Sequence, residues 1–208
     1  FVVSDGETQY FTRDGTFALD DPYTPVSAHN GMRVRGWLAD GGAIDTTQSL
    51  SDLQFQMGQM TAGDVSTEIT MGGNLSADAA VGDSIVTSID VYDSLGAAHE
   101  LTITITNNAA ANTYDVEVVC AGTTATGQIT FDGLGVLNGG SPISISFTPG
   151  GGATGPQVVD VDLSAVTQLA HDADAVARGQ NGRPAASLTD VILQENGVIV
   201  GAYNDGRQ

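Results

Sequence analysis

The chain has 208 residues, of which 41% are hydrophobic and 15% charged, with a formal net charge of −19. Its six basic residues are all arginine (Arg13, Arg33, Arg35, Arg178, Arg183, Arg207). The resulting pI near 4.1 argues against nucleic-acid binding and against anionic membrane surfaces, both of which require cationic patches. Length suits one large or two small domains, and the apolar fraction suffices for a core. No apolar run reaches the length of a membrane span. The single cysteine, Cys120, excludes an internal disulfide, and its setting in "VEVVCAG" reads as a buried, unreactive thiol.

The sequence opens at Phe1 inside an apolar run, with neither initiator Met nor signal peptide, and is expected to be the core of a longer polypeptide. "QYFTRDGTFALD" then predicts a β-hairpin: Tyr10 and Phe11 lead into Asp14-Gly15, and Phe17 and Leu19 lead out. From about 66 onward the dominant period is two. Ile85, Ile89 and Val91 share a face; so do Leu101, Ile103 and Ile105; Tyr114, Val116 and Val118; Ile143, Ile145 and Phe147; and Val159, Val161 and Leu163. Such alternation is what half-buried antiparallel strands require. The spacers are short and turn-rich, so hairpins and meanders are expected rather than parallel units. The stretch after 164 is irregular, with one short helix expected at 172–178. "LTDVILQENGVIVGAY" predicts a second terminal hairpin, turning at Asn196-Gly197.

Small hairpins are marginal alone, so the two ends should share one domain. The expected fold is mainly β with two β-rich domains. One is discontinuous, 1–65 plus 164–208, and a β-barrel or sandwich of residues 66–163 is inserted in it. The crossings fall at "GQMTAGDV" and "SAVTQ".

The residues offer little chemistry. "GGGATG" (150–155) matches G-x-G-x-x-G, but Pro156 and a strand follow instead of the helix that would hold a pyrophosphate, so it reads as a hairpin loop. Without lysine there is no P-loop. His29, His99 and His171 accompany no G-x-S-x-G elbow, and His99, next to a turn, is expected at the surface. The acidic runs "DVDLS" and "HDADA" lack a calcium-loop pattern, and no set has zinc spacing. Tyr10, Phe11, Phe17 and Trp37 could stack on sugars, although aromatics in hairpins more often form core or cross-strand pairs. No catalytic, cofactor or metal site is assigned. The residues alone leave an extracellular β-rich structural module and a glycan-binding adhesin both open, with a secreted hydrolase as the weakest reading.

"FVVSDGETQYFTRDGTFALD" resembles the segment shared by the flagellar axial proteins, the rod and hook subunits. The pattern is carried by Tyr10, Thr12, Arg13, Gly15, Phe17, Leu19 and Asp20. "NGMRVRGW", with Gly31, Gly36 and Trp37, resembles the segment that follows it. "VYDSLGAAHELTITI", with Tyr92, Asp93, Leu95 and Gly96, is similar to the signature of the inserted β-domain of the hook members. "VTQLA" (Thr167, Gln168) and the ending with Gly197, Tyr203 and Gly206 resemble the return segment. The chain departs from the family in "DPYTPVSAH" and at Arg183 and Ala186.

The resemblance implies a non-catalytic subunit of the hook, the flexible tubular universal joint passing torque from rod to filament. It implies an inner domain built from both ends and an outer inserted one. Partners would be further copies in a helical polymer and the other axial proteins (rod, hook cap, hook–filament junction). No cofactor, nucleic acid or membrane insertion is implied. Location would be the extracellular flagellum after export by the flagellar secretion system, and the family's terminal helices would lie outside this sequence. Hinges would fall at 58–64 and 164–168. Arg13 would serve as a structural or inter-subunit ion-pair partner.

Overall fold

A computed structural model describes residues 1–20, 23–40, 43–55, 57–194 and 198–208. All its elements are strands, and they divide into two compact units, Phe1–Thr61 with Ala186–Gln208, and Ala62–Ala185.

The first unit starts with β1 (Val2–Ser4), β2 (Gln9–Phe11), β3 (Phe17–Asp20), β4 (Thr24–Ser27) and β5 (Arg33–Gly36). The short β6 (Ala39–Asp40), β7 (Ala43–Ile44), β8 (Ser51–Asp52) and β9 (Met60–Thr61) follow. The main sheet runs β2-β1-β5-β4-β3, with β8 also on β5, and β6 pairs β7 separately. The predicted hairpin at Asp14-Gly15 does not form. β2 pairs β1 (Val2↔Phe11) and β3 pairs β4 (Phe17↔Ser27), so the two strands lie on opposite edges of the sheet. Local side-chain capping competes with the reverse turn. Thr12 Oγ1 accepts from Asp14 N and Asp14 Oδ1 from Thr16 N, both at 3.0 Å. Neither Asp14 nor Gly15 takes the positive φ that a two-residue hairpin turn needs. The centre of the sheet is fixed by burial of Val3 against Val34, which forces β1 and β5 together.

The second unit contains β10 (Glu68–Ser76), β11 (Ser84–Tyr92), β12 (Ala98–Asn107), β13 (Thr113–Cys120) and β14 (Thr123–Phe131). It continues with β15 (Leu137–Gly139), β16 (Ile143–Phe147), β17 (Gln157–Leu169) and β18 (Val176–Gln180). One sheet is the meander β11-β12-β13-β14-β15; the other is β16-β17-β10-β18. Their inner faces enclose one core that includes Ile69, Leu101, Ile103, Val116, Val118, Ile145, Phe147, Val159 and Leu163. The period-two sets of β12, β13, β16 and β17 point inward as their sequence pattern requires. The "GGGATG" stretch is the loop of the β16–β17 hairpin.

Three expectations fail in this unit. β10 and β17 are parallel (Glu68↔Asp160 to Ser76↔Leu169). The crossover is not a helix but the whole meander plus β16, which short spacers cannot reveal. Next, β17 runs unbroken through 164–168, where a crossing and hinge were expected, so 164–185 belongs with the inserted unit. The second passage between units is at Ala185–Ala186. Last, no helix forms at 172–178. Asp174 Oδ1 caps Asn74 N at 2.6 Å, and β18 takes up the free edge of β10 (Ile69↔Gln180, Gly72↔Val176).

The chain returns to the first unit as β19 (Ala186–Leu193) and β20 (Ile199–Tyr203), an antiparallel pair extended by β9 (Ala186↔Thr61). The predicted turn at Asn196-Gly197 lies outside the described residues. The two ends share a unit but not a sheet, because β19 and β20 pair with β9 rather than with the β1–β5 sheet.

Candidate functional site

The signature "VYDSLGAAH" forms the β11–β12 turn. Asp93 is buried, and its Oδ1 accepts from Leu95 N at 2.9 Å and Ala97 N at 3.0 Å. His99 Nε2 donates to Asp93 Oδ2 at 2.9 Å, and the His99 ring meets Phe147 edge-on at 5.7 Å. His99 is thus half-buried, contrary to the surface position expected from its place beside a turn; a buried carboxylate draws it inward. Burial pushes the Asp93 pKa up, but the hydrogen bonds from His99, Ala97 and Leu95 outweigh it and hold the carboxyl below its ordinary value. Gly96 has φ +79°, and a Cβ there would lie 2.3 Å from Ala185 N.

The same end of this unit holds a polar network that local sequence does not reveal. Ser66 Oγ accepts from Tyr92 N at 2.8 Å and donates to Gln180 Oε1 at 2.7 Å. Gln157 Nε2 donates to the carbonyls of Ser66 (2.9 Å) and Tyr92 (3.1 Å). Asn181 Oδ1 accepts from Thr67 N at 2.9 Å and Glu68 N at 3.1 Å. Arg183 N donates to Asp64 O at 2.8 Å, and a Cβ on Gly182 would fall 2.0 Å from Ser66 Oγ. Residues more than a hundred positions apart are thereby laced together where the chain enters and leaves the unit. Their only sequence signal is a pair of polar, glycine-bearing stretches.

The first unit is built differently. Among its described residues only Val3, Pro25, Val34 and Ala186 are buried apolar side chains. An apolar cleft of about 280 Å3 opens on it, lined by residues that include Phe17, Leu19, Val34, Phe55, Val191 and Ile199. Phe17 also meets Phe1 edge-on at 4.8 Å. Tyr10, Phe11 and Trp37 do not join Phe17 in a cluster. Phe11 is 85% exposed, Tyr10 donates to Asp5 Oδ2 at 3.3 Å, and Trp37 Nε1 donates to Gln48 O at 2.8 Å. Arg33 and Arg35 meet Asp52, and Arg207 meets Asp205. Arg13 has no carboxylate partner among the described residues.

The remaining motif residues have structural settings. Thr12 anchors its loop by donating N–H to Phe1 O at 3.0 Å. A Cβ on Gly15 would touch the Phe1 ring at 3.4 Å, and one on Gly36 would meet Leu53 at 2.9 Å. Gly31 and Gly206 take φ of +69° and +85° in turns, and Arg207 lies over the Tyr203 ring at 5.6 Å. Thr167 Oγ1 meets Asn74 Oδ1 at 3.1 Å, and Gln168 N donates to Gly135 O at 2.9 Å. Leu95 is exposed. Gly197 lies outside the described residues. These positions are spread over both units. Among the described residues no group of His, Cys, Asp and Glu could hold a metal, and no helix is long and apolar enough to cross a membrane.

The inserted unit, with its meander packed on a mixed sheet and its Asp93 turn, is the part that known families describe. The profile of the flagellar basal body protein FlaE D2 domain matches residues 77–183. The chain belongs to the FlaE D2 family. This D2 match falls within the unit Ala62–Ala185 and includes the Asp93 turn. Over 265 aligned residues the chain is 28% identical to the flagellar hook protein FlgE of Treponema pallidum, covering 99% of this chain and 57% of that protein. It is 27% identical over 245 residues to FlgE of Borreliella burgdorferi, covering 99% and 55%. The chain thus spans a little over half the length of these relatives. The crystal structure of Helicobacter pylori flagellar hook protein FlgE2 shares the fold with a TM-score of 0.57 at 13% identity, covering 96% of this chain and 79% of that one.

Proposed function

We propose that this chain is part of a structural subunit of the bacterial flagellar hook, the tubular joint that carries torque from the rod to the filament. The observation that carries this reading is the FlaE D2 match to the inserted unit, set in relatives named as hook proteins along essentially the whole chain. The chemistry is consistent with a mechanical part rather than a catalyst. The titratable pairs at hand, Asp93–His99 and Asp14–His29, serve a buried turn and an exposed loop. Long ladders of backbone hydrogen bonds suit a load-bearing element. The first unit buries few of its apolar side chains on itself, which suits a surface that meets other subunits. Partners on this reading are further copies of the chain in a helical polymer and the neighbouring axial proteins. The location is the flagellum outside the cell, reached through the flagellar export apparatus. A polymer of this kind requires a heterologous contact that does not close.

The test is genetic and visual. Deleting the gene should leave basal bodies without hooks and non-motile cells, and the wild-type gene should restore both. Normal hooks on the deletion strain, seen by electron microscopy, would reject the reading. An adhesin finds no support: the family match and the relatives along the chain are flagellar.

A further inference from the structure

We propose that Gly63 and Gly96 form a backbone slot for Arg183–Ala185, and that this slot couples the two passages of the chain between its units into one strap, so that neither passage loosens without the other. The strap stands on backbone geometry and is independent of the hook reading.

The segments that enter and leave the inserted unit, 62–67 and 181–185, belong to no strand. They are nevertheless bound to each other. Arg183 N donates to Asp64 O at 2.8 Å, and Asn181 Oδ1 accepts from Thr67 N and Glu68 N. The residues that meet at backbone distance are glycines. A Cβ on Gly63 would lie 2.2 Å from Arg183 O and 3.0 Å from Ala185 N. One on Gly96 would lie 2.3 Å from the same Ala185 N. Gly63 is not among the residues of positive φ, so what it must supply is space alone. Ala185, the last residue of the inserted unit, is thus approached at once by the entering segment and by the Asp93 turn. The Asp93 carboxylate fixes that turn through the N–H groups of Leu95 and Ala97. Gly96 is thereby a positioning residue for the departing chain.

In the first unit the same two passages are paired again. Ala186 stands opposite Thr61 and Ser187 opposite Met60, and Thr61 Oγ1 donates to Ala186 O at 3.2 Å. Freeing either passage strands N–H and C=O groups on the other, so they open as one cooperative element. Residues 58–64, where the resemblance implies a hinge, do not flex alone on this geometry.

The experiment follows amide exchange in the intact polypeptide that contains these residues, at rising sub-denaturing urea. Ser66 N–H reports the entering passage, because it is bound to Tyr92 O and not to the leaving chain. Arg183 N–H reports the leaving one. The two should share one opening transition. Pro184→Gly frees the leaving chain without touching the slot and should speed both amides about two- to fivefold. A response at Arg183 alone, or at neither amide, overturns the coupling. Gly63→Ala fills the slot and should speed both about tenfold or more. Exchange as in wild type for Gly63→Ala overturns the slot. Either failure leaves the hook reading intact.

Discussion

His99 Nε2 sits 2.9 Å from a carboxylate oxygen of Asp93, and that carboxylate is buried with two backbone N–H groups already on its other oxygen. The turn is held by one side chain serving three donors. Asp93→Ala leaves the N–H groups of Leu95 and Ala97 without their acceptor, at about 1–3 kcal/mol for each buried unsatisfied group. The expected loss is roughly 2–4 kcal/mol, read by chemical denaturation of the inserted unit. A loss under about 0.5 kcal/mol, the level of an ordinary surface change, would contradict it.

The same residue sets a pH dependence. Its folded pKa lies below the ordinary value, despite burial, because His99, Ala97 and Leu95 donate to it. A depressed carboxyl contributes stability that is present above the unfolded pKa of about 3.9 and is lost as pH falls through the folded value. Asp93→Asn removes that linkage. The wild type should therefore lose stability more steeply than Asp93→Asn below about pH 4, measured by urea midpoints across pH. Parallel curves for the two proteins would assign the acid sensitivity to other carboxyls, such as Asp162, which Ser164 also holds low.

Gly96 tests how the signature constrains backbone. It combines φ +79° with a Cβ position 2.3 Å from Ala185 N, whereas Gly151 has φ +69° and open space around it. A left-handed non-glycine residue costs about 1–2 kcal/mol. Gly151→Ala should cost that much, and Gly96→Ala should cost more, because the backbone at Ala185 must also move. Equal midpoints for the two variants would remove the close approach from the account.

The parts of this fold that were legible in sequence are those in which local pattern and tertiary burial agree. Ile103 and Thr104 illustrate it: one is fully buried, the other sits on the outer face, and alternation alone says so. What was not legible depends on partners distant in sequence. Asp14-Gly15 carries hairpin chemistry, yet Val3 meeting Val34 decides that β2 and β3 go to opposite edges. Residues 172–178 look helical until the free edge of β10 claims Val176–Gln180. The polar network of Ser66, Gln157 and Gln180 joins three segments that no window contains. The settings of Asp93 and Gly96, a buried carboxylate and a close approach to Ala185, are visible only in the fold.

Cys120 gives a kinetic probe of the core. The thiol is buried among the meander strands, and burial pushes its pKa up to about 11. Thiolate is the reactive form, so both access and ionisation oppose alkylation in the folded state. Iodoacetamide labelling at pH 8 should be slow in native protein and become fast only in denaturant, at the midpoint of unfolding. Rapid native labelling would mean that β13 opens locally.

The charge excess predicts a salt effect on assembly. The chain carries 25 acidic and six basic residues, and the proposed polymer brings such surfaces together. Like charges on facing subunits repel over roughly 10 Å at about 0.1 M salt and over about 30 Å at tenfold lower salt. Assembly of the intact protein should therefore weaken as ionic strength falls from about 0.1 M to 0.01 M. The readout is the concentration needed for polymer formation, followed by light scattering. A flat salt response would show that other contacts govern assembly.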